Sequence, residues 1–161
     1  MLVDSEEDAT TILENWTAQT LDPNETIHDL GFPRTFITPR QSTVEEMGRM
    51  LEEIYNGKLV SSEARQIILD DMAEITANDS TLIGVIRKNF SSEDVLYDKR
   101  GELSSQRVIV ADLALLRKGD KTYLLAIYAY RNSSNSEDAF EELKKGVEDI
   151  SRLFWNYSEG K

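Results

Sequence analysis

The chain has 161 residues, 18 Lys plus Arg against 30 Asp plus Glu for a net charge of -12, 40% hydrophobic residues and no cysteine. Such a composition supplies the core of one ordinary soluble domain and argues against a disordered acidic tail; it excludes disulfides, thiolate nucleophiles and zinc-cysteine sites. No basic run exceeds two residues, so phosphate is repelled and nucleic acid is not an expected partner, and no apolar stretch reaches the roughly 18 to 20 residues of a membrane span.

From Asp8 to Thr20, Ala9, Ile12, Leu13 and Trp16 stand at helical spacing before the breakers Asp22-Pro23-Asn24, which predicts one helix. Asn24 to Arg40 holds Gly31, two prolines and no clear period, which predicts a loop packed through Phe32, Phe36 and Ile37. Ser42 and Thr43 each have a Glu three residues on, as in a capping box, and the stripe Val44, Met47, Leu51, Ile54, Tyr55 ends at Asn56-Gly57. A further helix is expected from Ser62 to Ile75, with Ala64, Ile67, Ile68 and Met72 inward. Its short connection makes it a neighbour of the one before.

The pattern changes at Val95. Val95-Leu96-Tyr97, Val108 to Leu116 and Thr122 to Tyr130 read as strands, with Arg117 to Lys121 as a hairpin turn. The third run is almost continuously apolar, which predicts burial on both faces. After Asn132 to Ser136 come Phe140, Leu143, Val147, Ile150, Phe154 and Tyr157 at steps of three and four, a long C-terminal helix with acids in its first turn. The fold class is therefore α+β, a single domain over 1-161 with a helical part at 1-94 and a three-stranded antiparallel sheet plus helix at 95-161.

Chemistry is sparse. His28 is the lone histidine and is expected at the surface, since a metal site needs further ligands at defined spacing. The acidic pairs Glu45-Glu46, Glu52-Glu53, Asp70-Asp71 and Glu141-Glu142 are expected on solvated helix faces. No metal or cofactor is called for.

Three segments gain meaning from their order: Ser5-Glu6-Glu7, followed by Ala9 and an apolar helix; Ser42 to Leu51, then Tyr55-Asn56-Gly57-Lys58-Leu59-Val60-Ser61; and Val95 to Lys99-Arg100-Gly101, followed by Ala111-Asp112-Leu113 and the strand at 122-130. In this order the chain resembles the later part of class A β-lactamases and related penicillin-recognising serine hydrolases: the Ser-Asp-Asn motif, the helix pair after the Ω loop, and the Lys-Thr-Gly strand with the two strands behind it. The resemblance implies acyl transfer at an amide or ester and an extracytoplasmic setting.

It also marks departures. The family nucleophile is the Ser of a Ser-x-x-Lys motif upstream of Ser-Asp-Asn, and none precedes Ser5 here. Glu7 puts an acid where the family has an amide, and a carboxylate cannot donate a hydrogen bond unless protonated. Arg100 replaces a small hydroxyl. The stretch Phe32 to Gln41, counterpart of the Ω loop that carries the deacylating Glu, contains no acid. By this resemblance Ser5, Glu6, Glu7, Lys99, Arg100 and Gly101 are the family-equivalent positions, with Glu7 and Lys99 as an ion pair, and no complete catalytic set is present. Without the resemblance, Ser5 is simply a helix cap and Lys99-Arg100 lead into a turn at Gly101. The family's remaining strands would leave 122-130 as an exposed apolar edge, expected to pair with a second copy in a homo-dimer or with an N-terminal complementing polypeptide.

Overall fold

Asp22-Pro23-Asn24, the breakers that close the first predicted helix, also open a second one. The computed structural model, which describes residues 7-78, 81-103, 107-132 and 135-160, divides into two compact units, Met1–Asp71 and Met72–Lys161. In the first, α1 (Glu7–Thr17) is followed by α2 (Pro23–Asp29), where the sequence pattern indicates loop. The cause is local: the Asp22 carboxylate accepts from the backbone N–H of Asn24 at 2.8 Å and of Glu25 at 3.1 Å, and Pro23 occupies the first turn, where its missing donor costs nothing. Ile12, Leu13 and Trp16 of α1 are exposed rather than inward.

Helix α3 (Val44–Tyr55) is capped by Thr43, whose hydroxyl accepts from the Glu46 N–H at 3.2 Å. Glu46, Gly48 and Leu51 are its buried residues, whereas Val44 and Met47 of the predicted stripe are exposed. Helix α4 (Ser62–Asn78) turns Leu69 and Met72 inward and leaves Ile67 exposed. The two helices meet at their junction, where Arg65 donates to the Tyr55 carbonyl at 2.5 Å and lays its guanidinium over the Tyr55 ring.

The second unit is a three-stranded antiparallel sheet in the order β1 (Val95–Leu103), β2 (Arg107–Lys118), β3 (Lys121–Asn132), with a 3-10 helix η1 (Leu82–Asn89) before it and α5 (Ser136–Ser158) after it. This is the α+β class. The hairpin is as short as the sequence implies: Lys118 pairs with Lys121 around Gly119-Asp120. Gly119 has φ 55°, the positive value that a two-residue turn of this kind requires at its first position. Strand β1 runs six residues past Tyr97, so Lys99, Arg100 and Gly101 lie in the ladder and there is no turn at Gly101.

Helix α5 and η1 cover one face of the sheet. Leu96, Ala114 and Leu116 pack there against Ile83, Ile86 and Trp155, and Val110 packs against Leu82 and Val147. Burial is concentrated in β2, the central strand, while no residue of β3 is fully buried. The expected burial of 122-130 on both faces is thus absent: α5 covers the face that carries Tyr123, Leu125, Ile127 and Ala129, while Leu124, Tyr128 and Tyr130 on the alternate face are exposed. On α5, Phe140, Leu143, Val147 and Phe154 face the sheet as the spacing predicts. Ile150 and Tyr157 are instead exposed, while Ser151 and Trp155 are buried. Ser151 can be buried because its hydroxyl donates back to the Val147 carbonyl at 2.7 Å. Among the described residues no helix is long and apolar enough to cross a membrane.

Candidate functional site

Alternation along β1 separates Lys99 and Arg100, two of the residues expected at family-equivalent positions. Lys99 pairs with Leu113 and points away from α5, while Arg100 lies opposite Asp112 and points to the face that η1 and α5 cover. Lys99 is half-buried; that burial, with Arg100 alongside, lowers its pKa below 10.5, against the pull of Asp98 and Asp112. Arg100 is exposed, donates to the Thr81 hydroxyl at 3.1 Å and pairs with Glu102 at 3.9 Å. A Cβ on Gly101 would meet nothing within 4 Å, so the glycine is not required by close packing. Ser5 and Glu6 lie outside the described residues, as does the Glu7 side chain and hence the expected ion pair with Lys99; Glu7 itself is the first residue of α1.

Beside Arg100 the strands bury two acids that no sequence motif marks, Asp98 and Asp112, at 3% and 2% exposure. The Asp112 carboxylate accepts from the Ile83 N–H at 2.9 Å. The first N–H groups of a helix have no partner within it, and Thr81, the residue at the cap position of η1, makes no side-chain cap bond. Leu82, buried and held at φ 51°, carries the chain from Thr81 into η1 through a conformation that branched side chains avoid. Asp112 thus caps η1 from a neighbouring strand. Asp112→Ala is expected to destabilise the sheet unit by about 2 to 3 kcal/mol, the range for losing a charged acceptor from a buried donor; urea unfolding checks it, and Asp112→Asn, which keeps an acceptor, should lose less.

The loop counterpart, Phe32 to Gln41, is built differently from expectation. A carboxylate does reach it, from α3. Glu46 accepts from the Arg34 N–H with both oxygens at 3.1 Å and from the Thr35 hydroxyl at 2.7 Å. Because the one Thr35 proton goes to Glu46, Ser42 donates to Thr35 at 2.8 Å. The Arg34 guanidinium adds ion pairs to Glu46 and Glu45. Burial alone would push the Glu46 carboxyl up, but the Thr35 and Arg34 hydrogen bonds outweigh it and hold the group below its ordinary 4.5. Glu46 is therefore not on a solvated face, as its pairing with Glu45 suggests in the sequence. A carboxylate so engaged is a weak base, suited to holding the loop.

Two more side chains fix the same loop. Asn24 accepts from the N–H of Ile37 and Thr38 and donates to the Thr38 carbonyl at 2.7 Å. His28, expected at the surface, is half-buried: its Nε2 donates to the Thr35 carbonyl at 3.0 Å and its ring meets Phe36 edge-on. The signal for Glu46 is present in the spacing, one turn before Met50 and two before Ile54, both partly buried. Asp98 and Asp112 likewise stand at alternate positions between apolar residues, Leu96-x-Asp98 and Val110-x-Asp112-x-Ala114.

One Ser-x-x-Lys string does occur, as Ser158-Glu159-Gly160-Lys161, at the far end of the chain from its family place. Ser158 ends α5 and its hydroxyl donates to the Trp155 carbonyl at 2.7 Å; Gly160, at φ 73°, turns the chain out of the helix, and Lys161 lies outside the described residues.

Helices leading into a three-stranded antiparallel sheet with a C-terminal helix are an α+β arrangement that this chain shares with solved β-lactamases. The fold is similar to the TLA-3 extended-spectrum β-lactamase, with a TM-score of 0.76 at 18% identity over 97% of this chain and 61% of that one. It is also similar to a β-lactamase from Chitinophaga pinensis, at 0.71 and 22% over 98% and 62%, and to PBP-A, at 0.61 and 15% over 83% and 50%. The sequence profile of the β-lactamase enzyme family matches residues 1–158, and the chain belongs to that family. It spans between 50% and 62% of the length of those three structures. No curated protein sequence matches it.

Proposed function

We propose that this chain is a β-lactamase-family domain that does not by itself form an acyl-enzyme. The observation that carries this reading is the engagement of the charged groups nearest the expected motifs: Arg100 is held by Thr81 and Glu102, and Glu46, the carboxylate that reaches the loop at 32-41, is occupied as an anchor. The Ser-x-x-Lys string within the 161 residues, at Ser158, has its hydroxyl bonded to the Trp155 carbonyl at the end of α5, and an acyl-transfer unit without an available nucleophile loses several orders of magnitude. Among the similar folds, a PBP-A point mutant is an acyl-enzyme complex with penicillin G, which makes a fluorescent penicillin the apt probe. The 161-residue chain should show no label after denaturing electrophoresis and no mass increase. A stable covalent adduct would sink the reading.

A second reading, that of an interaction module, is favoured by the sheet edge. Among the described residues the outer edge of β3 pairs with no strand, and Leu124, Tyr128 and Tyr130 are exposed on the sheet face away from α5. Long apolar edges are ordinarily paired or covered. The occupant is a second copy or a complementing polypeptide that brings a strand.

A further inference from the structure

Helix η1 is held in place against its own geometry. It keeps the 3-10 form for eight residues, where runs beyond about three or four are uncommon because the hydrogen bonds of that form are poorer than those of an α-helix. Its entry is strained as well. Leu82, at φ 51°, is the one non-glycine residue with positive φ among those described. A left-handed conformation crowds the Cβ of an L-residue against the following carbonyl, and it persists only where the surroundings impose it.

The surroundings impose it from both sides. Arg100 on β1 donates to the Thr81 hydroxyl at 3.1 Å, and Asp112 on β2 accepts from the Ile83 N–H at 2.9 Å. Arg100 and Asp112 are cross-strand partners in the ladder, so one pair of facing residues grips the residues before and after Leu82. The Leu82 side chain, buried, packs meanwhile with Val110 of β2 and Val147 of α5. The far end of the segment is fastened separately, by the stacking of Phe90 on Trp155 at 5.4 Å between ring centroids.

We propose that η1 is a strap that opens as a unit from its Leu82 end, and that Arg100 and Asp112 form the clasp that keeps it shut. When the clasp lets go, Leu82 relaxes to a negative φ and leaves its cluster with Val110 and Val147, while both ladders of the sheet stay paired. The strain at Leu82 favours opening; the clasp and the burial of the Leu82 side chain oppose it. The two arms differ in weight. The Asp112 bond is buried and charged, whereas the Arg100 bond is exposed to water, so Asp112 supplies most of the hold. Arg100 and Asp112 are thus positioning residues, and a displacement of Arg100 along β1 reaches η1 through Thr81.

Native-state hydrogen exchange of the 161-residue chain in low urea tests this. The Ile86 amide, in the middle of η1, should exchange at least about tenfold faster than the amides of β2 and depend less on urea, because little surface is exposed when the strap opens alone. Asp112→Asn should speed Ile86 exchange about tenfold and Thr81→Val about threefold. Thr81→Ser, which keeps the hydroxyl, should leave it near the wild-type rate. An Ile86 amide that exchanges at the β2 rate with the β2 urea dependence overturns the strap. A separate opening that Asp112→Asn does not accelerate overturns the clasp, and Thr81→Val without effect, or Thr81→Ser with an equal one, removes Arg100 from it. Scalar couplings that give Leu82 a negative φ in the wild type remove the strain, and with it the reason for opening at that end.

Discussion

Trp155→Ala should destabilise the sheet unit by about 3 to 5 kcal/mol, the range for removing a buried Trp or Phe. Trp155 is 7% exposed and packs in the cluster that holds Ile83, Ile86, Leu96, Ala114 and Leu116, so it joins α5 to η1, β1 and β2 at once. Its ring stacks on Phe90 at 25° between planes, and the Lys118 Nζ lies 3.8 Å from its centroid while also pairing with Glu159. Ala is a better helix former than Trp, so the helix itself would gain, and any loss measured is tertiary. The cation over the ring adds about 0.5 to 1 kcal/mol at a partly exposed site, so Lys118→Met should reproduce only that smaller share. A small domain has about 5 to 15 kcal/mol in total, so Trp155→Ala should leave the unit near its threshold. Urea unfolding followed by far-ultraviolet circular dichroism measures it; a loss below about 1 kcal/mol would mean that the site collapses around the gap and does not join the elements as argued.

Trp155 also shows what the sequence could and could not reveal. The period of α5 correctly places Phe140, Leu143, Val147 and Phe154 on the sheet, yet it cannot say that a second element, η1, packs on one flank and turns Trp155 and Ser151 inward. A helix in contact with two neighbours buries a wider arc than an apolar stripe marks. The strands and their two-residue turn were legible because alternation and Gly119 act locally. Helix α2 and η1 were not: α2 is seven residues long, too short for a period, and η1 is started by the Asp112 carboxylate from a strand 29 residues away. The candidate site follows the same rule. The collinear motifs lead to Lys99, Arg100 and Gly101, which lie in β1, but the charges that do structural duty, Glu46 and Asp112, look in the sequence like any other acid. Their burial is set by donors that only folding brings near.

Glu46 is where that distinction can be measured. Glu46→Gln keeps size and one acceptor, but its amide nitrogen must then face the Arg34 N–H or the Thr35 O–H, donor against donor. The Thr35 carbonyl that His28 holds, and the bridge in which Phe36 and Gln41 exchange backbone hydrogen bonds, lie directly beyond. Amide exchange at Arg34 and through the loop should therefore accelerate by about tenfold or more, as expected when a buried donor loses its partner. In the wild type the same loosening should follow acidification. The folded carboxyl ionises below its ordinary 4.5, so its anchoring contribution is complete above that value and is lost as the pH falls through the lower, folded value. The Arg34 amide shift, followed by NMR from neutral to acid pH, should move in step with loop exchange in the wild type and stay flat in Glu46→Gln. A variant that keeps the wild-type pH profile would assign the transition to another group and remove Glu46 from the role of anchor.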